Sequence, residues 1–282
     1  MSGEVPALQV DGVTLRYGGL TAVADVTLSV APGEIIGLVG PNGAGKTSLT
    51  NVISGLARPT NGDVRLFGTS IVRLPSFKRA RLGLARTFQI VRPLAGLTVL
   101  ENVLVGAAFG RAGLDGSDDA ARDRAEAALE RVGLSGRAQH AVDELTLADR
   151  QMLELARVLA GQPRVLILDE VMAGSNPTEI GRKVELIQSL NRDDGLSLIV
   201  IEHVMKAVMA LSHRVVVLHH GRLLADGAPG QVTRDPKVIE AYLGSRFHAE
   251  DREDGGIPAG PIAPESEPTL ATPDETEQPH GH

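Results

Sequence analysis

The octet Gly40-Pro41-Asn42-Gly43-Ala44-Gly45-Lys46-Thr47 constrains this chain more than any other segment. It has the spacing of a phosphate-binding loop. Its glycines permit a tight wrap in which backbone N–H groups face inward, toward phosphate oxygens. Such a loop works between a strand and a helix, because the helix presents its positive N-terminal end to the same anion. Both neighbours are predicted. Glu34–Val39 reads as a short apolar strand, and a helix starts at Lys46 and stops near Gly55. Lys46 supplies a mobile point charge for the β- and γ-phosphates of a nucleotide, and Thr47 a hydroxyl ligand for Mg²⁺. Ser48, next in the helix, joins the same candidate set. The unit implies an α/β fold with a mostly parallel core sheet.

A second element stands about 120 residues further on, in Val165-Leu166-Ile167-Leu168-Asp169-Glu170. A buried strand delivers Asp169 to its tip, where a carboxylate can hold Mg²⁺ through water, and Glu170 is placed to polarise an attacking water. Leu198–Ile201 is another continuous apolar run, as expected of a buried parallel strand. Residues 12–30 alternate instead, with Val26, Leu28 and Val30 on one face and Thr27 and Ser29 on the other, which predicts antiparallel β structure. Asp63–Phe67 reads as a further strand. The stretch from about 98 to 160 is helical in pattern. One apolar stripe is Ala121, Ala125, Ala128, Leu129 and Val132, stopped by Gly133; another is Met152, Leu155, Ala156 and Leu159.

Of the 282 residues, 43% are hydrophobic but only 2% aromatic, so the core must be built from Val, Leu, Ile and Ala. The absence of cysteine excludes disulfides, cysteine zinc sites and a thiol nucleophile. No signal-peptide pattern opens the chain, and no apolar run nears the roughly 20 residues of a membrane helix. A soluble, cytoplasmic protein is expected. The formal net charge of −7 belongs to the end of the chain: residues 248–282 carry −8 and the preceding 247 carry +1. With six prolines and almost no large apolar residues, that end is expected to be a disordered tail. The near-neutral body gives no electrostatic case for nucleic-acid binding.

With these motifs in place, residues 7–247 resemble the nucleotide-binding subunits of ABC transporters. The resemblance implies an ATP-binding cassette over 1–247, with an N-terminal antiparallel β layer and an inserted helical subdomain at about 90–160. It makes Tyr17, in Leu15-Arg16-Tyr17-Gly18, similar to the aromatic that stacks on adenine. Gln89, in Arg86-Thr87-Phe88-Gln89, is similar to the glutamine that contacts Mg²⁺ or water where the membrane subunit docks. His203, in Ile201-Glu202-His203, is similar to the switch histidine that senses the γ-phosphate. Glu170, His203 and Gln89 are thus the catalytic candidates, and Thr47, Gln89 and Asp169 the metal-site candidates. His219 and His220 have no such context and read as surface residues.

The signature sequence departs from the family. Leu145-Thr146-Leu147-Ala148-Asp149 stands where Leu-Ser-Gly-Gly-Gln is typical. In the family this loop caps the ATP bound by the other subunit. Thr146 keeps the hydroxyl; Asp149 brings a negative charge to a helix start, where it suits an N-cap. The segments Met172–Glu179, Ile201–Lys206, Arg86–Gln89, Leu97–Val103 and Val238–Gly244 are similar to those of branched-chain amino-acid (Liv-type) importers. The last is shared with lipopolysaccharide-export ATPases. The resemblance implies a head-to-tail pair with a second, different ATPase chain, separate membrane-spanning permease subunits, a solute-binding protein and a peripheral place on the cytoplasmic membrane face. An ATPase of another ABC system, such as lipopolysaccharide export, and a soluble ABC ATPase acting on nucleic acid or ribosomes remain the alternatives, beside a regulatory subunit that binds ATP without turnover.

Overall fold

The computed structural model describes residues 5–89, 92–111, 113 and 117–243. The acidic segment 248–282 lies outside the described residues. The chain opens with two long strands, β1 (Leu8–Tyr17) and β2 (Leu20–Val30), then β3 (Ile35–Val39) and helix α1 (Lys46–Ser54). Next come β4 (Asn61–Leu66), β5 (Thr69–Ser70), α2 (Ser76–Arg81) and β6 (Leu84–Arg86). Three helices follow: α3 (Val99–Phe109), α4 (Asp118–Arg131) and α5 (Leu147–Ala160). The chain returns with β7 (Val165–Asp169), α6 (Pro177–Asp194), β8 (Ser197–Ile201) and α7 (Met205–Leu211). It closes with β9 (Arg214–His219), β10 (Arg222–Gly227), α8 (Pro229–Val232) and α9 (Pro236–Leu243).

Two sheets result. The first is antiparallel, in the order β2-β1-β4-β5. The second runs β10-β9-β3-β8-β7-β6, parallel throughout except for β10 at one edge. Every residue of β3, β7 and β8 is buried, because apolar layers cover both faces of these strands. One layer holds α1 and the antiparallel sheet: Leu49 and Ile53 pack with Ile167 and Ile199 below and Val10, Val13 and Val26 above. The other holds α6 and α7, where Ile187, Leu190 and Leu211 meet Leu166, Leu168 and Leu198.

Helices α3, α4 and α5 form a third body around Val103, Ala107, Ala125, Leu129, Leu153 and Ala156. Their backbones approach closely. A Cβ on Gly106 would lie 1.8 Å from the Arg157 carbonyl oxygen, so only glycine fits where α3 crosses α5. The helical stretch is broken between α4 and α5 by two short 3-10 turns, at Ser135–Arg137 and Val142–Glu144.

Two boundaries differ from the sequence reading. β4 begins two residues earlier than Asp63, because Asn61 pairs with Thr14 of β1, and it ends before Phe67, whose φ of 46° turns the chain toward β5. Helix α5 begins at Leu147, with Thr146 rather than Asp149 as its N-cap. A hydroxyl one residue before the helix can reach the N3 amide; Asp149, already helical at N3, cannot serve as the cap.

Candidate functional site

Four consecutive strands of the parallel sheet, β3, β8, β7 and β6, end side by side. Their C-terminal tips carry the phosphate-loop residues, His203, Glu170 and Gln89. Ligands of open parallel sheets gather at this edge. A cavity of about 780 Å³ lies there, lined by Tyr17, Lys46, Thr47, Ser48, Gln89, Glu170 and His203, with Asn42 and Gly43 from the loop.

The loop is held open for an anion. Gly45, the N-cap of α1, has φ 100° and offers no side chain to the first-turn N–H groups, which remain available to an external acceptor. Lys46 is 8% exposed and folds back, donating to the carbonyl oxygens of Gly40 (2.7 Å) and Pro41 (3.1 Å). Burial lowers its pKa, with Glu170 and Asp169 opposing. Thr47 is exposed toward the cavity and Ser48 half-buried. Tyr17, at the end of β1, is 52% exposed and also lines the cavity.

Glu170 is gripped from both sides. Gln89 Nε2 donates to its Oε2 at 2.6 Å, and His203 Nε2 lies 2.6 Å from its Oε1. Its backbone N–H donates to the Ile201 carbonyl, extending the β7–β8 ladder past the strand end. The residue itself is left-handed, with φ 51°. The His203 hydrogen bond, against the opposing effect of burial, holds the Glu170 carboxyl below its ordinary pKa, and Glu170 in turn raises that of His203. The result is an ionised carboxylate oriented at the cavity wall.

Asp169 is 7% exposed, and its Oδ2 accepts from Arg86 at 2.6 Å. Its backbone N–H donates to Thr87 Oγ1. Arg86, at the tip of β6, also donates to Asn51 Oδ1 of α1 at 2.7 Å. The Arg86–Gln89 motif carries no expected role for Arg86. A charged residue ending a buried strand needs a partner, which is the signal that points to it.

Leu145, Thr146, Leu147, Ala148 and Asp149 belong to the helical body and are not among the residues lining this cavity. Leu147–Asp149 are the first turn of α5 rather than a loop. Thr146 Oγ1 donates to Asp149 Oδ2 at 2.7 Å and accepts from the Asp149 amide at 3.2 Å. Arg137 pairs with the same carboxylate at 3.0 Å. His220, read from the sequence as a surface residue, is exposed and also lines the cavity.

Glu202, next to His203, is 4% exposed and accepts from the Met172 amide at 2.8 Å. Burial pushes its carboxyl up to about 7. The folded-state value lies above the ordinary 4.5, so the burial penalty is absent below that pH and builds as pH rises toward 7. Glutamine keeps the oxygen that meets Met172 and never ionises. Glu202→Gln is therefore expected to match wild type near pH 4.5 and to exceed it above pH 7, by on the order of 3 kcal/mol. Urea unfolding midpoints at pH 5 and pH 8 check this; an equal difference at both values contradicts it.

The comparisons with known proteins agree with this geometry. A family described as "ABC transporter" matches residues 23–173, and one described as "Branched-chain amino acid ATP-binding cassette transporter" matches residues 222–248. The chain is 41% identical over 255 residues to the high-affinity branched-chain amino acid transport ATP-binding protein LivG of Escherichia coli (strain K12), covering 85% of this chain and 98% of LivG. It is 40% identical over 250 residues to BraF of Pseudomonas aeruginosa, with the same coverage. The lipopolysaccharide export system ATP-binding protein LptB of Acidithiobacillus ferridurans is 33% identical over 240 residues, covering 85% of this chain and 98% of LptB. Among solved structures, the ADP conformation of MJ1267, an ATP-binding cassette of an ABC transporter, superposes with a TM-score of 0.76 at 28% identity, covering 85% of this chain and 99% of that one. A strand-tip carboxylate beside a phosphate loop, in a chain this similar to these relatives over nearly their whole length, leaves one assignment: the chain belongs to the ABC transporter family, as an ATP-binding cassette subunit.

Proposed function

We propose that this chain binds ATP with Mg²⁺ at Gly40–Ser48, hydrolyses it, and so powers import of branched-chain or related amino acids through separate membrane-spanning subunits. The observation that carries the reading is Glu170, gripped by His203 and Gln89 beside the phosphate loop in a chain 41% identical to LivG. Loop N–H groups and Lys46 bind the phosphates, and Tyr17 stacks on the adenine. Glu170 takes a proton from the attacking water, while Gln89 and His203 fix its direction. Among the described residues no cluster of three His, Cys, Asp or Glu side chains could hold a metal alone. That fits Mg²⁺, which keeps several waters and leans on phosphate oxygens. Thr47, Gln89 and Asp169 would supply the remaining contacts, and the ion would neutralise phosphate charge.

The Leu145–Asp149 segment acts on a partner's ATP in a head-to-tail pair with a second ATPase chain of different sequence. MJ0796, a bacterial ABC transporter cassette 25% identical to this chain, is described as dimeric. The permease docks on a groove of about 390 Å³ between the parallel sheet and the helical body, where Phe77, Phe88 and Phe109 are 55%, 45% and 64% exposed. Among the described residues no helix is long and apolar enough to cross a membrane. Its likeness to LivG supports a peripheral place for the chain on the cytoplasmic face of the membrane. A solute-binding protein delivers cargo on the other side, and no nucleic acid takes part.

Affinity purification of the tagged full chain from detergent-solubilised membranes tests this. A multi-span permease and a second ATPase chain should accompany it, and a solute-binding protein loaded with leucine should stimulate ATP hydrolysis by the complex. Purification with ribosomes, or with a lipopolysaccharide-export assembly, would sink the proposal.

A further inference from the structure

Lys183, on α6, is buried at 6% exposure, an unusual place for an ammonium. It forms no ion pair with a carboxylate among the described residues; Glu179 and Glu202 are the acidic groups that act on it at longer range. Instead all three of its N–H bonds go to neutral acceptors: Gln151 Oε1 at 2.7 Å, the Val171 carbonyl at 2.7 Å and Ser175 Oγ at 2.8 Å. Gln151, one turn into α5, turns its own amide N–H to the Ala173 carbonyl at 3.1 Å. The Met172 amide is taken by Glu202. The segment directly after Glu170 is therefore tied at Val171, Met172, Ala173 and Ser175, though it belongs to no helix or strand.

Glu170 is the residue that benefits. Its left-handed backbone is one that a non-glycine residue keeps only when the surroundings impose it. The helix reached through Gln151 is the one capped by Thr146. We propose that Lys183 is a positioning residue for hydrolysis: its buried ammonium fastens the loop after Glu170 to α5, holds Glu170 toward its water, and mechanically links this chain's own ATP site to the helix start that faces the partner's ATP. This rests on the assignment of Glu170 as the base. Lys183 does not line the nucleotide cavity, so its loss should act on turnover rather than on binding.

The test uses the full chain in its membrane complex. Lys183→Met keeps the length and removes the donors. Its kcat for ATP is expected to fall about 10-fold or more with KM within about twofold of wild type, the signature of a contact that matters only in the transition state. Gln151→Leu should act in the same direction, and the double variant should lose no more than Lys183→Met alone, because one latch can be broken only once. Unchanged kcat in Lys183→Met, or a KM that rises as much as kcat falls, overturns the proposal. Should Lys183→Met fail to fold, Gln151→Leu decides, and a wild-type kcat there overturns it. Glu170→Gln run in parallel separates the two levels: if it hydrolyses normally, the base assignment falls; if it is inactive while Lys183→Met is normal, only the latch falls.

Discussion

Glu170→Gln should lower ATP turnover by about 100-fold or more while leaving ATP affinity within about threefold. The amide is nearly isosteric with the carboxylate. It can still accept a hydrogen bond from Gln89 and meet His203, so the local packing survives. What disappears is the negative charge that draws a proton from water. In the proposed function ATP itself is held elsewhere, by Lys46 and the first-turn N–H groups of α1. Equilibrium binding of ATP and single-turnover hydrolysis separate the two effects. A spectroscopic marker accompanies them: the His203 pKa is raised chiefly by its hydrogen bond to Glu170, so its NMR titration should move to lower pH in Glu170→Gln. Normal hydrolysis by the variant in its assembled complex would remove Glu170 from the mechanism.

Arg86→Met is expected to cost about 3 to 5 kcal/mol of stability. The Arg86–Asp169 pair is nearly dry, with side-chain exposures of 5% and 9%. Removing one member leaves a buried carboxylate without its counter-charge, and the same guanidinium also ties α1 to the sheet through Asn51. The unfolding midpoint in urea should drop at unchanged slope. The double variant Arg86→Met with Asp169→Asn should recover part of the loss, since the stranded charge is then gone; equal loss in single and double variants would show that the pair itself is not the cause. Through Asn51 and Asp169, Arg86 thus bridges α1, which follows the phosphate loop, and the end of β7, which immediately precedes Glu170.

Much of the architecture can be read along the chain because it depends on local chemistry. β3, β7 and β8 are short runs of Val, Leu and Ile that need cover on both faces. Gly45 and Gly55 bracket α1, and a strand, a glycine loop and a helix in succession specify a phosphate site wherever the rest of the chain goes. Glu170, His203 and Gln89 stand out as candidates through their flanking motifs. Their meeting does not follow from those motifs. Glu170 lies 33 positions from His203 and 81 from Gln89, and the three converge only because β8, β7 and β6 are neighbours in the sheet, an order set by packing of the intervening helices.

The same holds for Arg86 with Asp169, 83 positions apart, and for Lys183: its spacing from Ile180 and Ile187 puts it on the apolar stripe of α6, but only the fold brings it the acceptors of Gln151 and Val171. Asp149 marks the limit from the other side. Its type suits a helix cap, yet Thr146 takes that place, and the competition is decided by where the chain enters α5 from the helical body. Sequence alone therefore determined the phosphate loop and its helix, since these rest on contacts within a few residues, and marked the strand before them by its apolar run. Tertiary structure alone decided which acids, amides and cations face one another there, since hydrogen bonds between side chains exist only once distant strands have been brought to the same edge.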